Sequence, residues 1–117
     1  MYYKLIDEYF IAFENKDIEK LKNMFDDNIT LFDPVVKLIQ GKAQVIEVNM
    51  NIFNDCTNLN FIKKDIFIDI EKMTAIGEVE FYCNDIKINV VDIIKFNNDL
   101  KINSITAYLD TKTIENK

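Results

Sequence analysis

Polar and apolar residues alternate most regularly in the segment IKINVVDIIKF, from Ile86 to Phe96. A period of two predicts a β-strand with one face in the core. The apolar face consists of Ile86, Ile88, Val90, Ile94 and Phe96. Asp92 interrupts this face, where a carboxyl loses its hydration and must find hydrogen-bond donors or keep its proton with a raised pKa. We therefore expect the fold to build a pocket around Asp92.

Apolar residues at helical spacing predict three helices in the first half of the chain. The first covers residues 3 to 15, and Tyr9 lies in the middle of its apolar stripe. A second, short helix begins after Asp17, which has the character of an N-cap residue. The third helix spans Lys42 to about Asn54.

The remaining segments predict strands. The segment ITLFD, from Ile29 to Asp33, is a short strand that Pro34 ends, and Asp26 to Asn28 form a turn before it. Residues 35 to 40 are an apolar connection or an edge strand. Four further strands, with a bulge or bend near Lys63-Lys64, run from Asn60 to Asp110. Their short turns imply an antiparallel meander.

Together these elements predict one α+β domain over residues 1–117, with three N-terminal helices on one face of a curved antiparallel sheet. A chain of 117 residues with 49% hydrophobic residues can bury a substantial core. Helices that cover a bent sheet leave a cone-shaped cavity between the two layers. Such cavities are where small ligands bind.

Composition excludes several classes of partner. The formal net charge is −6, all 14 basic residues are lysine, and the chain has no histidine. Nucleic-acid surfaces carry a basic excess and arginine, so we expect no nucleic-acid partner. No apolar run is long enough for a membrane span, and no basic segment followed by an apolar run opens the chain. We predict a cytoplasmic protein without a membrane partner.

The two cysteines, Cys56 and Cys83, cannot form an ordinary four-ligand zinc site without histidine. Cys83 falls on the apolar face of a predicted strand. We interpret it as a small, buried core residue in a protein of a reducing compartment. We expect neither a metal nor a cofactor.

The order of elements resembles the nuclear transport factor 2-like superfamily, which includes SnoaL-like proteins and ketosteroid isomerases. The resemblance covers essentially the whole chain. It rests on the segment YFIAFENKDIEKLKNMFDDNITLFDP, the helix that opens at Gly41, and the tail VDIIKFNNDLKINSITAYL. The first segment is typical of very many members, so it indicates the fold more strongly than the function.

The sharper resemblance is to the ketosteroid isomerase branch, through Tyr9 in the first helix, Asp33 before Pro34, and Asp92 on a late inner strand. The resemblance implies that Asp33 is a general base, and that the Tyr9 hydroxyl and a protonated Asp92 form an oxyanion hole. This division of roles is a worked example for that enzyme family. It implies a cofactor-independent isomerase acting on a small apolar molecule with a ketone. Superfamily members often pair through their sheets, which implies a homodimer.

The resemblance also implies a substrate pocket, for which we expect these lining residues: Phe13, Val48, Phe81, Val90, Ile94 and Tyr108. The third helix departs from the isomerase pattern. It offers Asn49 where some isomerases carry a supporting tyrosine, and Val48 where an aromatic residue often lies. These departures weaken the expectation of a steroid substrate more than that of the chemistry.

Other interpretations remain open. Tyr9 could be a core tyrosine, and Asp33 could simply form a turn before Pro34. Asp92 could bond a neighbouring backbone group or lie on an edge strand. The protein could be a SnoaL-like cyclase, or a non-catalytic module that binds a small ligand or dimerises.

Overall fold

A computed structural model describes residues 1–110 of the chain as three helices packed on a curved, six-stranded sheet. The helices are α1 (Tyr2–Glu14), α2 (Ile18–Met24) and α3 (Lys42–Asp55). The strands are β1 (Phe25–Asp33), β2 (Lys37–Gln40), β3 (Leu59–Asp69), β4 (Thr74–Cys83), β5 (Ile86–Phe96) and β6 (Ile102–Leu109). All three predicted helices are present, and the Asp17 side chain caps α2 by accepting a hydrogen bond from the Lys20 N–H at 3.1 Å.

The strand order in the sheet is β2-β1-β6-β5-β4-β3. Strands β3 to β6 form the predicted antiparallel meander, and the predicted irregularity in β3 is a register shift between Lys63 and Asp65. The prediction of a wholly antiparallel sheet was wrong, because β1 pairs with β6 in parallel. The sheet is therefore mixed, and the parallel pair connects the first strand of the chain to its last.

The segment Asp26 to Asn28 was predicted as a turn and is instead part of β1. The pairing of β1 with β6 is irregular there, with a register shift between Phe25 and Thr30. A bulged strand accommodates residues of turn-forming type because its extra residues need not pair.

The core lies between the helices and one face of the sheet. The fully buried side chains include Phe10 and Ile6 from α1, Leu21 from α2, Val45 from α3 and Ile94 from β5. Strand β5 follows the predicted alternation, with Val90, Asp92, Ile94 and Phe96 on the buried face. The alternation of the sequence thus places Asp92 toward the helices.

The prediction that Cys83 is a small, buried core residue was wrong, because Cys83 is half-buried and bonded to a second cysteine. Cys83, at the end of β4, forms a disulfide with Cys56, the residue after α3, and their Cα atoms are 5.0 Å apart. This bond is also at odds with the predicted reducing compartment, because disulfides persist mainly in oxidising ones. The bond fixes the end of α3 to the sheet.

Among the described residues, no helix combines the length and the apolar character needed to cross a membrane.

Candidate functional site

One pocket of about 120 Å³ opens between the helices and the buried face of the sheet. Tyr9 from α1, Asp33 from β1 and Asp92 from β5 all line it. Three of the other predicted lining residues, Phe13, Phe81 and Val90, also lie there. The remaining walls are Leu31, Asn49, Ile52, Phe61, Ile88, Ile105, Ala107 and Leu109. The three polar groups singled out in the sequence therefore converge on one small, largely apolar space.

Asp92 occupies a gap in the sheet surface that small neighbours create. Its cross-strand partners are Gly77 on β4 and Ala107 on β6. The absence of a side chain at Gly77 lets α1 approach the sheet closely, since a Cβ there would lie 2.9 Å from Phe10 Cζ and 3.3 Å from Ile6 Cδ1. Asp92 is consequently only 5% exposed, and it lies in the middle of the sheet rather than on an edge strand.

Burial determines the protonation of Asp92. Loss of hydration, with a further contribution from the charge of Asp33, raises the pKa of Asp92 from its usual value to about 7. Below that pH the carboxyl is neutral and can donate a hydrogen bond. The pattern of the sequence predicted this state from the position of Asp92 on an apolar face.

Asp33 has a different environment. Its Oδ1 accepts hydrogen bonds from the Val35 and Val36 N–H groups, each at 2.7 Å. The turn-forming interpretation of Asp33 is therefore correct for this oxygen. The second oxygen, Oδ2, accepts neither of these hydrogen bonds. The turn fixes the carboxylate at the end of β1, half-buried at the pocket.

The sheet also sets the separation of the two carboxyls. Asp33 lies on β1 and Asp92 on β5, with β6 between them. Two strand spacings place their backbones roughly 10 Å apart. Ala107 on β6 projects only a methyl group into the pocket between them. This leaves room for a ligand to reach both carboxyls.

Tyr9 enters the pocket from α1 within a group of aromatic rings. The ring centroids of Phe10, Phe13 and Phe25 lie 5.5, 6.0 and 6.5 Å from that of Tyr9. Burial, and secondarily the charge of Asp92, raise the pKa of the Tyr9 hydroxyl well above its usual value. The hydroxyl therefore stays protonated and can serve as a hydrogen-bond donor. An ordinary core tyrosine would be buried to the same degree, so burial alone does not separate the two interpretations of Tyr9. Its position at the pocket is the feature that an ordinary core tyrosine would lack.

Three predicted lining residues lie elsewhere. Tyr108 is 55% exposed on the other face of the sheet, where it lies with Lys64, Glu78 and Val91 around a surface depression. Its position opposite Val91 in the β5–β6 register puts it on that outer face, whereas Asp92 pairs with Ala107. Ile94 is fully buried in the core, and Val48 is half-buried against it. Neither lines the pocket, so the prediction was wrong for these three residues.

The prediction omitted a polar pocket residue, Asn49 of α3. The sequence identified Asn49 only as a departure from a family pattern, although it is 4% exposed and lines the pocket. Its Nδ2 is buried without a hydrogen-bond partner among the described residues. A signal was available, since Asn49 lies one turn from Val45 and from Phe53 on the buried side of α3.

These groups suit acid–base chemistry rather than metal binding. Within residues 1–110, no group of three or more histidine, cysteine or acidic side chains is placed to hold a metal ion. The pocket instead combines a carboxylate at a turn, a buried carboxyl with a pKa of about 7, and a buried phenol. Two carboxyls in unlike environments can divide the roles of base and acid.

Known structures share this fold at low sequence identity. A nuclear transport factor 2-like protein of unknown function from Cytophaga hutchinsonii has a TM-score of 0.83 at 13% identity, with 98% of this chain and 95% of that chain covered. A SnoaL-like protein of unknown function from Burkholderia thailandensis has a TM-score of 0.82 at 12% identity, covering 92% of each chain. A steroid delta-isomerase from Pseudomonas aeruginosa has a TM-score of 0.78 at 12% identity, covering 98% of this chain and 86% of that one. These likenesses show the fold alone.

Sequence comparison gives the family. No curated protein matches this chain. The profile of the SnoaL-like domain family matches residues 6–105, which include all of the polar groups at the pocket. The chain therefore belongs to the SnoaL-like domain family.

Proposed function

We propose that this protein is an isomerase of the ketosteroid isomerase type, which removes a proton next to a ketone and holds the resulting enolate in an apolar pocket. The convergence of Tyr9, Asp33 and Asp92 on one pocket carries the proposal. The similarity of the fold to a steroid delta-isomerase is consistent with it. The substrate is a small apolar molecule with a ketone.

Asp33 is the general base in this scheme. Its Oδ1 is occupied by the Val35 and Val36 N–H groups, so Oδ2 takes the proton from the carbon next to the carbonyl. The electron pair of that C–H bond moves into the carbon–carbon bond, and the carbonyl oxygen gains negative charge. When Asp33 returns the proton to the far carbon of a β,γ-unsaturated ketone, the double bond moves into conjugation. The proton balance closes without a cofactor.

Tyr9 and Asp92 stabilise the enolate oxygen. Both are buried hydrogen-bond donors at the pocket, and Asp92 can donate only while it is protonated. Donors fixed in an apolar site stabilise developing charge more strongly than water does, because they need not reorient. Removing one such donor costs on the order of 3 kcal/mol in the barrier. The raised pKa of Asp92 supports this role near neutral pH.

Turnover of β,γ-unsaturated ketones tests the proposal. We expect wild-type protein to conjugate cyclohex-3-enone or a steroid analogue, followed by ultraviolet absorbance, and Asp33→Asn to be slower by about 10²- to 10⁴-fold because the base is lost. Asp85→Asn, an exposed acid in the turn between β4 and β5, is the matched control and should retain full activity. Absence of turnover on both substrates, or equal turnover by Asp33→Asn, would overturn the proposal.

A further inference from the structure

The pocket walls become more exposed along β5. Three side chains of this strand line the pocket in order: Asp92 and Val90 are buried, and Ile88 is half-buried. Ile88 and Asp92 are four residues apart, which corresponds to about 13 Å along a strand. The pocket therefore runs along β5 from a closed inner end at Asp92 to a more open outer end at Ile88.

The outer end of the pocket has apolar walls. Phe61, Phe81 and Ile88 are neighbours in one row across β3, β4 and β5, and the two rings have their centroids 5.1 Å apart. Leu109 of β6 and Ile52 of α3 are the other half-buried apolar residues of the lining. We call these five residues the apolar rim. A polar group of a ligand would lose its water here without gaining a side-chain partner, so hydrocarbon binds there best.

The charge of the lining disfavours anionic ligands. All basic residues of the chain are lysine, and none of the lysines in residues 1–110 lines the pocket. Asp33 and Asp92 both line it, and the charge of Asp33 is strong enough to raise the pKa of Asp92. A carboxylate or phosphate on the ligand would meet repulsion and no compensating cation. The ligand is therefore neutral.

The pocket volume limits the size of the ligand. The space is about 120 Å³. A cavity of about 150 Å³ takes one benzene molecule. The walls therefore hold one ring, and a fused four-ring compound exceeds the space between them.

We propose that the substrate is a neutral, single-ring ketone with a short hydrocarbon group on the carbon opposite the carbonyl, and that the apolar rim selects this group. The carbonyl oxygen points toward Tyr9 and Asp92, and this orientation rests on the proposed function. The hydrocarbon group then lies against Ile88 at the outer end. Ketones of the same size that carry an acidic group there are rejected.

Matched cyclohexanones test this selection without turnover. The probes are cyclohexanone, 4-ethylcyclohexanone and 4-oxocyclohexane-1-carboxylate, titrated by NMR into wild type, Ile88→Asn and Ile62→Asn. We expect wild type to bind 4-ethylcyclohexanone about tenfold more tightly than cyclohexanone, because two more carbons leave water. The carboxylate should bind more weakly than cyclohexanone.

The two variants separate the apolar rim from other apolar surface. Ile88→Asn should bring the affinities for 4-ethylcyclohexanone and cyclohexanone close together, because an amide replaces hydrocarbon in the rim. Ile62→Asn changes an exposed isoleucine of β3 that does not line the pocket, and it should keep the wild-type ratio.

Contacts in the wild-type complex give a readout that does not depend on whether Ile88→Asn folds. We expect nuclear Overhauser effects from the ethyl group to the methyl groups of Ile88 and Leu109. The ring protons next to the carbonyl should instead contact the Ala107 methyl group, which lies beside Asp92. An ethyl group in contact with Ala107 would mean the reverse orientation and would overturn the inference.

The inference is also overturned if the carboxylate binds as tightly as 4-ethylcyclohexanone, or if a folded Ile88→Asn keeps the full preference. Tighter binding of a fused four-ring ketone, androst-5-ene-3,17-dione, in competition with 4-ethylcyclohexanone would overturn it as well. Binding with the expected preference but without turnover of cyclohex-3-enone would overturn the proposed function alone. Turnover by wild type without that preference would overturn this inference alone.

Discussion

A carboxyl that keeps its proton up to a pH of about 7 is the central feature at the scale of single residues. Asp92 owes this state to its burial between Gly77 and Ala107, under α1, and to the charge of Asp33. Burial disfavours the ionised form, so the folded protein holds the proton more tightly than the unfolded chain does. The stability of the protein must therefore depend on pH through this group.

We expect wild-type stability to fall as pH rises from about 4 to about 7 because of Asp92. Across this range the unfolded chain has released the Asp92 proton while the folded protein keeps it, so raising the pH favours unfolding. The effect reaches roughly 4 kcal/mol at most, and it levels off above pH 7, where both states are ionised. Urea unfolding at a series of pH values measures it.

The matched variants in that experiment are Asp92→Asn and Asp85→Asn. Asp92→Asn should lose most of the slope between pH 4 and 7 and gain stability relative to wild type at pH 8. Asp85→Asn, an exposed acid, should keep the wild-type slope. An unchanged slope in Asp92→Asn would mean that Asp92 does not titrate near neutral pH in the folded protein.

At the scale of elements, the contact of α1 with the sheet depends on one glycine. Gly77 lies directly beneath Phe10, and an added Cβ would approach Phe10 Cζ to 2.9 Å. Gly77 is the cross-strand partner of Asp92, so this contact lies beside the buried carboxyl.

Gly77→Ala should destabilise the protein by about 1–3 kcal/mol, because the new methyl group overpacks this contact. Chemical denaturation of Gly77→Ala, Phe10→Leu and the double variant measures the effect. Leucine at position 10 is smaller than phenylalanine and should relieve the clash. The double variant should therefore be more stable than the sum of the two single effects predicts. Additive effects would place the strain elsewhere.

Elements with local signals could be predicted from the sequence. The alternation from Ile86 to Phe96 gave β5 and the buried face of Asp92, and helical spacing gave α1 to α3. The parallel pairing of β1 with β6 and the disulfide of Cys56 with Cys83 join segments distant in the chain, so no local pattern contains them. Hydrophobic patterning could not indicate these contacts.

The site residues divide in the same way, into those that a local pattern or the family resemblance indicated and those that depend on contacts between distant segments. The resemblance supplied Tyr9, Asp33 and Asp92, which the structure places at one pocket, and patterning alone gave the burial of Asp92. Tyr108 was misplaced because the alternation of β6 is less regular, which left its facing open. Helical spacing placed Asn49 on the buried side of α3, but whether its amide finds a hydrogen-bond partner depends on every neighbouring element and could not be read from the sequence.

For the whole molecule, we expect a homodimer formed through the outer face of the sheet. Phe67, Val91 and Tyr108 are exposed apolar or aromatic residues on this face, from β3, β5 and β6. Light scattering should give twice the chain mass of 13.8 kDa. Val91→Lys should shift the species toward monomer, because it places a charge in the apolar contact. A wild-type monomer at working concentration would exclude this assembly.

The most direct test of the account is the titration of the Asp92 carboxyl carbon by NMR, in wild type and in Asp33→Asn. The account predicts a midpoint near pH 7 in wild type, and a lower midpoint in Asp33→Asn because the neighbouring negative charge is removed. A wild-type midpoint near pH 4, or one that Asp33→Asn leaves unchanged, would contradict a neutral, donating Asp92 beside an ionised Asp33.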